Sequence, residues 1–149
     1  MARGYLGESA ALIVVDTSAL VAIVFREPER EIFVRVIEAA DKALISSVSV
    51  LEARMVVHGR RGQRAVVLLD SLLRLPMFEI VAAEPSETEA AYAAFVVFGK
   101  GSGHPAGLNF GDLFSYALAK ARGAPLLYKG GDFVHTDLVS ALDLGADGQ

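Results

Sequence analysis

The chain of 149 residues has no cysteine, no tryptophan and only three histidines. Without cysteine there are no disulfides, thiolate nucleophiles or Cys-ligated metal centres, and the chain suits a reducing compartment. Positive charge is also in short supply. Fourteen Lys and Arg stand against eighteen Asp and Glu, a formal net charge of −4, so no global basic field holds nucleic acid by charge alone. Long apolar runs are missing too. The stretch from Ala10 to Phe25 is broken by Asp16, Thr17 and Ser18 and is too short to span a bilayer. The opening "MARGYLGESAA" has neither the apolar core nor the cleavage site of a signal peptide. These absences predict a soluble, cytoplasmic protein with no membrane partner.

Apolar residues are abundant, at 53% of the chain with a mean hydropathy of +0.43. That supplies the core of a single domain and leaves apolar surface for a partner. The order of elements follows from patterning. "ALIVVDTSAL" begins as a β-branched run, typical of a strand covered on both faces, then turns polar where a helix starts, with Ser18 as the expected cap. Residues Glu29 to Ala40 read as a helix, "ALISS" as a strand, and "VSVLEARMVVHGRR" as a helix capped by Ser46 or Ser47 and broken at Gly62. "QRAVVLLDSLLRL" and "PSETEAAYAAFVVFG" are helical, separated by a strand at "FEIVAA". The Gly-rich "GKGSGHPAG" is a loop and "GLNFGDLFSYALA" a helix. "GAPLLY" is a fourth strand, and a fifth lies near "SALDL". Strands alternating with helices predict an α/β domain with a mainly parallel sheet of about five strands, helices on both faces, and a site at the carboxyl ends of the strands.

Four carboxylates sit where a carboxylate needs explaining. Asp16 ends the first strand, on the rim where this architecture builds sites, although a cap or loop acid would sit there too. Glu52 has Val48, Met55 and Val56 among its helical neighbours, with Ser49 the polar exception, so it falls on an apolar stripe. The alternative is a core acid paired with Arg54 or Arg60. Asp112 follows Asn109 by three residues in a capping arrangement, where the helix dipole favours the ionised form; a cap alone accounts for its position. Asp132 in "KGGDF" is either a further acid of the site or a plain Gly-Asp turn. If these acids converge they need a cation, because unit charges about 4 Å apart repel by roughly 4 kcal/mol even in a partly screened site. All-oxygen ligands select Mg²⁺ or Mn²⁺ over Zn²⁺.

Taken in order, "VVDTSALVAI", Glu52 in "SVLEARMVV", "GLNFGDLFSYALAK" and "PLLYKGGDFVHTD" resemble the PIN-domain ribonucleases, and more closely the VapC toxins of type II toxin–antitoxin pairs. The likeness covers nearly everything after residue 12. It implies a PIN-like α/β/α sandwich over residues 12–149, preceded by a flexible extension over residues 1–11 that family members usually lack. It further implies a Mg²⁺-dependent endoribonuclease, with Mn²⁺ as a substitute, in which metal-activated water attacks the phosphodiester and leaves 5′-phosphate and 3′-hydroxyl ends.

Carried over residue by residue, Asp16 and Asp112 match the principal metal ligands, and Glu52 a further ligand or the orienter of the attacking water. Asp132 matches the more variable fourth acid; Asp137 competes for that place, although a structural role is favoured for it. Ser18 matches the hydroxyl position beside the first acid. Gly131 stands where relatives also carry polar residues, which weakens a second complete metal site.

The resemblance also implies a small VapB-like antitoxin filling an apolar groove, and either a homodimer or a toxin–antitoxin hetero-oligomer. The helices around Val21 to Phe25 and Val50 to Val57 are the expected groove walls. Arg26, Arg54, Arg60, Arg61, Arg64, Lys100 and Lys129 are candidate contacts to RNA phosphates, with solvated surface as the alternative for each. His104 reads as a loop residue, and its loop lacks the full nucleotide P-loop pattern. Two other functions compete. One is a catalytically inactive PIN-like module that binds RNA or protein. The other, ranked behind it, is a phosphoryl-transfer or phospho-receiver domain, whose paired acids are missing from "DTS".

Overall fold

The computed structural model describes residues 11–143. The N-terminal extension expected over residues 1–11 therefore lies almost wholly outside the described residues. The chain runs β1 (Leu12–Val15), α1 (Thr17–Val24), α2 (Arg30–Ala39), β2 (Lys42–Ser46), α3 (Ser47–Arg61), α4 (Gln63–Leu73), β3 (Phe78–Val81), α5 (Pro85–Phe98), α6 (Phe110–Arg122) and β4 (Leu126–Leu127). A short 3-10 turn follows over Phe133–His135.

The four strands form one parallel sheet in the order β3-β2-β1-β4. Val14 pairs with Leu44 on one side and Leu126 on the other. Because side chains alternate along a strand, β1 serves two cores. Ile13 and Val15 face a layer built from α1, α2, α3 and α4, where Leu20, Phe33, Val57 and Leu69 are fully enclosed. Val14 faces α5 and α6 with Leu44, Leu126 and Leu118. This is the expected α/β/α sandwich. At the fifth strand position the chain is a single parallel bridge, Leu126 to Ser140, held by Leu126 N–H to Val139 O and Ala141 N–H to Leu126 O. Among the described residues the sheet is thus four strands wide rather than about five, and Leu144, the last residue of "SALDL", lies outside them.

The chain leaves β1 toward β2 on one side, while β4 returns on the other. That reversal opens a crevice between β1 and β4 at their carboxyl ends, where doubly wound sheets place their sites. Asp16 follows β1 directly and Lys129 lies two residues beyond β4. Among the described residues no helix is long and apolar enough to cross a membrane.

The walls expected for an apolar groove divide. Val50, Ala53 and Val57 are buried in the core, while Met55 of the same stretch is exposed and lines a surface groove with Val66 of α4. Ile23 and Val24 do line a surface groove, together with Leu68, Leu72 and Leu75 of the α4 segment.

Candidate active site

Asp16 ends β1 because it is already the N-cap of α1, with extended backbone and its Oδ2 accepting the Ser18 N–H at 3.0 Å. Ser18 was expected to be that cap; its hydroxyl instead donates to the same Oδ2 at 2.7 Å. Oδ1 accepts the Ser115 hydroxyl at 2.6 Å, a contact across 99 residues. Asp16 is 3% exposed, and burial of a carboxylate is tolerable when donors answer its oxygens. The Ser18 Oγ also accepts the Lys129 N–H at 2.9 Å, which ties the exit of β4 to the first acid. Behind these contacts the Thr17 hydroxyl donates to Ser49 O at 3.1 Å and Ser49 Oγ lies 3.3 Å from Ser115 Oγ. Three helices, α1, α3 and α6, are locked by hydroxyls directly beneath the acid.

Asp112 occupies the third position of α6. Its N–H donates to Asn109 Oδ1 at 2.9 Å, while its Oδ2 accepts the Asn109 N–H at 3.0 Å, a complete capping box. The cap is real, yet it engages only Oδ2. Burial pushes the Asp112 carboxyl up to about 7; the Asn109 N–H opposes that, and the charges of Asp16, Asp132 and Glu52 add to it. Those three acids are felt at Asp112, and all four line one open cleft of about 480 Å³.

Glu52 reaches the cleft from α3 and is half-buried. Burial raises its carboxyl above the ordinary range, the Thr17 hydroxyl opposes this and the Asp16 charge adds to it. The expected apolar stripe is only partly right: Ser49 is fully buried and Val56 half-buried, but Met55 is 66% exposed. Glu52 lies at the edge of the stripe, with one side open to the cleft. It is not a core acid paired with Arg54, whose Nε donates to Asp70 at 3.0 Å. Its carboxylate rests on Gly111 of α6, where a Cβ would collide with both of its oxygens.

Asp132 enters the cleft after a turn that Gly130 makes at φ 103, a conformation that favours glycine. Asp137 points elsewhere. Its Oδ1 accepts the Tyr116 hydroxyl at 2.6 Å and its Oδ2 the Lys120 ammonium at 2.8 Å, which holds its carboxyl below the usual range. His104 packs edge-on against Phe98 and accepts the Ala106 N–H at its Nδ1, a loop-shaping role. Of the seven cations considered for RNA, Arg60 and Lys129 line the cleft. Ser115 and Gly111 carry no obvious signal in the sequence. Ser115 could have been found as the polar residue one helical turn beyond Asp112 on the same face of an otherwise apolar run.

The donor set is all oxygen, and burial, with the charges of the neighbouring acids adding to it, raises the Asp112 carboxyl, as expected of a site shaped for a hard cation. Among the described residues no three Asp, Glu or His side chains close into a ready coordination shell. Mg²⁺ needs none, since it usually keeps several waters and takes one or two carboxylates.

Known proteins share the sequence pattern and the fold. The model of the PIN domain family matches residues 13–138. Ribonuclease VapC30 of Mycobacterium tuberculosis is 45% identical over 128 residues, 86% of this chain and 97% of its own. Ribonuclease VapC28 of the same organism is 42% identical over 88% of this chain and 98% of its own. The crystal structure of Mycobacterium tuberculosis VapC20, described as a sarcin–ricin loop cleaving toxin, superposes with a TM-score of 0.71 at 20% identity, covering 85% of this chain and 96% of that one. VapBC2 from Rickettsia felis, bound to a DNA fragment from its promoter, gives a TM-score of 0.67 at 17% identity over 87% of this chain and 96% of that chain. With the family model spanning most of the chain and curated relatives matched over nearly their whole length, the chain belongs to the PIN domain family, among its VapC ribonucleases.

Proposed function

We propose that this protein is the toxin of a type II toxin–antitoxin pair and acts as a divalent-metal-dependent endoribonuclease in the cytoplasm. The observation that carries the reading is the meeting of Asp16, Glu52, Asp112 and Asp132 in one cleft at the switch point of the sheet, with burial and mutual repulsion acting on Asp112. Asp16 and Asp112 would hold the cation, with Glu52 and Asp132 completing or orienting its water shell. Mg²⁺ suits this set, with Mn²⁺ as a substitute. When bound, such a cation lowers the pKa of water for in-line attack and neutralises charge on the phosphate oxygens.

The chain's own residues do the positioning. Ser18 and Ser115 fix both oxygens of Asp16, so its orientation is set before substrate arrives. The capping box fixes Asp112 in the same way. Glu52, raised above the ordinary carboxylate range and open to the cleft, is suited to accept a proton from the attacking water. No side chain needs to form a covalent bond with RNA.

A VapB-like antitoxin and self-association are proposed from family membership and the exposed apolar surface. Tyr92, Phe95, Val96 and Val97 are exposed along α5, an apolar surface open to a partner. Sequencing of RNA 5′-ends after brief induction of the wild-type and Asp16→Asn proteins tests the function. New ends that appear with the wild type and vanish with Asp16→Asn support the enzyme. Identical end profiles would leave an inactive binding module.

A further inference from the structure

Glu52, Val56 and Arg60 are spaced four residues apart on α3, and all three line the cleft. One face of this helix therefore lays a carboxylate, an apolar step and a cation along the same groove. The rise of an α-helix separates Glu52 from Arg60 by about 12 Å along the axis.

Arg60 lies over an aromatic ring. Its guanidinium carbon lies 5.6 Å from the Phe25 centroid, and that of Arg61 lies 4.7 Å from the same ring. Phe25 is set there by an unusual turn. Arg26 adopts φ 55, the left-handed region that glycine normally fills, and ends α1 in a Schellman motif, with Arg26 N–H to Ile23 O at 3.2 Å and Glu27 N–H to Ala22 O at 2.9 Å.

The cleft contains a second cation, and the contrast between them is informative. Lys129 Nζ lies 2.8 Å from Glu27 Oε1 and 3.2 Å from Glu29 Oε1, so its charge is already answered. Arg60 makes no ion pair with a carboxylate among the described residues, although it lines a cleft rich in them. A guanidinium stacked on an aromatic face keeps its planar fork of N–H donors free, in a geometry that matches phosphate oxygens.

We propose that Arg60 is a substrate-binding residue that grips an RNA phosphate flanking the scissile one, and so sets the path of the strand across the acids. The inference rests on the nuclease reading above. The separation from Glu52 places the contact on a neighbouring phosphate rather than at the reacting one. Phe25 is the seat that fixes the direction of the guanidinium.

The test uses the full chain carrying Asp16→Asn, to prevent cleavage, and a labelled pool of fragmented bacterial RNA, with binding measured across a salt series. Adding Arg60→Gln is expected to weaken binding by roughly tenfold and to lower the slope of log K against log salt by about 0.7, the value for one phosphate contact on a single strand. Arg60→Lys should keep the slope while binding more weakly, because charge is retained and the stacked fork is lost. Arg74→Gln, at the end of α4 and outside the cleft, should leave both quantities unchanged. In the cleaving protein Arg60→Gln should raise KM more than it lowers kcat. Unchanged affinity and salt slope in Arg60→Gln, with cleavage by the wild type intact, would overturn this assignment alone, as would an equal loss in Arg74→Gln. No Mg²⁺-dependent cleavage of bacterial RNA by the wild type would overturn the nuclease reading and the assignment with it.

Discussion

The Glu52 carboxylate rests on the backbone of Gly111, in the space that any side chain at position 111 would fill. Two helices far apart in sequence thereby bring Glu52 to within electrostatic reach of Asp112. Replacing glycine with alanine in a helix ordinarily stabilises by up to about 1 kcal/mol. Gly111→Ala should keep the fold and its Tm while displacing Glu52, and cleavage should fall about tenfold or more, as when the support of a metal site is disturbed. Parallel measurement of Tm and kcat/KM checks this; full activity in the variant would separate Glu52 from the chemistry.

Part of the candidate site is legible because two of its acids mark local boundaries. Asp16 stands where a β-branched run stops, and Asp112 stands three residues after an asparagine, so strand end and helix start both appear in the sequence. Glu52 is harder to read, because it lies inside a helix and marks no boundary. Met55, one of its apolar helical neighbours, is 66% exposed, and the edge of the stripe rather than its centre holds the acid. Ser115 shows in the sequence only as a polar residue one helical turn beyond Asp112; its partner, Asp16, lies 99 residues away, so the contact itself comes from the fold. Patterning places β4 within "GAPLLY" but does not announce the left-handed Arg26. The fifth strand shrank to a bridge because at Ser140 the chain makes one pairing with Leu126 and then turns.

Ser115→Ala tests the hydroxyl support. The substitution leaves Asp16 Oδ1, in a residue 3% exposed, without its 2.6 Å donor. A buried acceptor left unpaired costs about 1–3 kcal/mol, and loss of an outer-shell partner lowers metal affinity or activity by about 10–100-fold. Thermal unfolding and Mg²⁺ titration of activity should both register the change, whereas unaltered Mg²⁺ dependence would count against the support.

The identity of the fourth acid divides two substitutions. Asp132→Asn should reduce cleavage with little change in Tm, since Asp132 lines the cleft. Asp137→Asn should lower Tm and leave cleavage near the wild-type rate, because Asp137 braces Tyr116 and Lys120 instead. Reversal of that pattern would move the fourth ligand to Asp137.

The pH dependence follows from Asp112, whose carboxyl is pushed up to about 7 in the folded, metal-free chain from an ordinary 3.8. Between those values the folded state keeps a proton that the unfolded chain has released, so this group's contribution to stability falls as pH rises through the window. A bound cation competes with the same proton. Metal-free Tm should therefore be depressed more in wild type than in Asp112→Asn above about pH 7. The Tm gain from added Mg²⁺ should be larger near pH 8 than near about pH 6. An equal Mg²⁺ gain at both would remove Asp112 from the metal.

The most direct measurement is the chemistry of the ends produced when the purified protein cuts bacterial RNA, compared with and without chelator and with Asp16→Asn and Asp112→Asn. Hydrolysis by metal-activated water at this cleft gives 5′-phosphate and 3′-hydroxyl ends, abolished by chelation and by either substitution. Cyclic phosphate ends, or cleavage that survives chelation or the loss of Asp16, would contradict it.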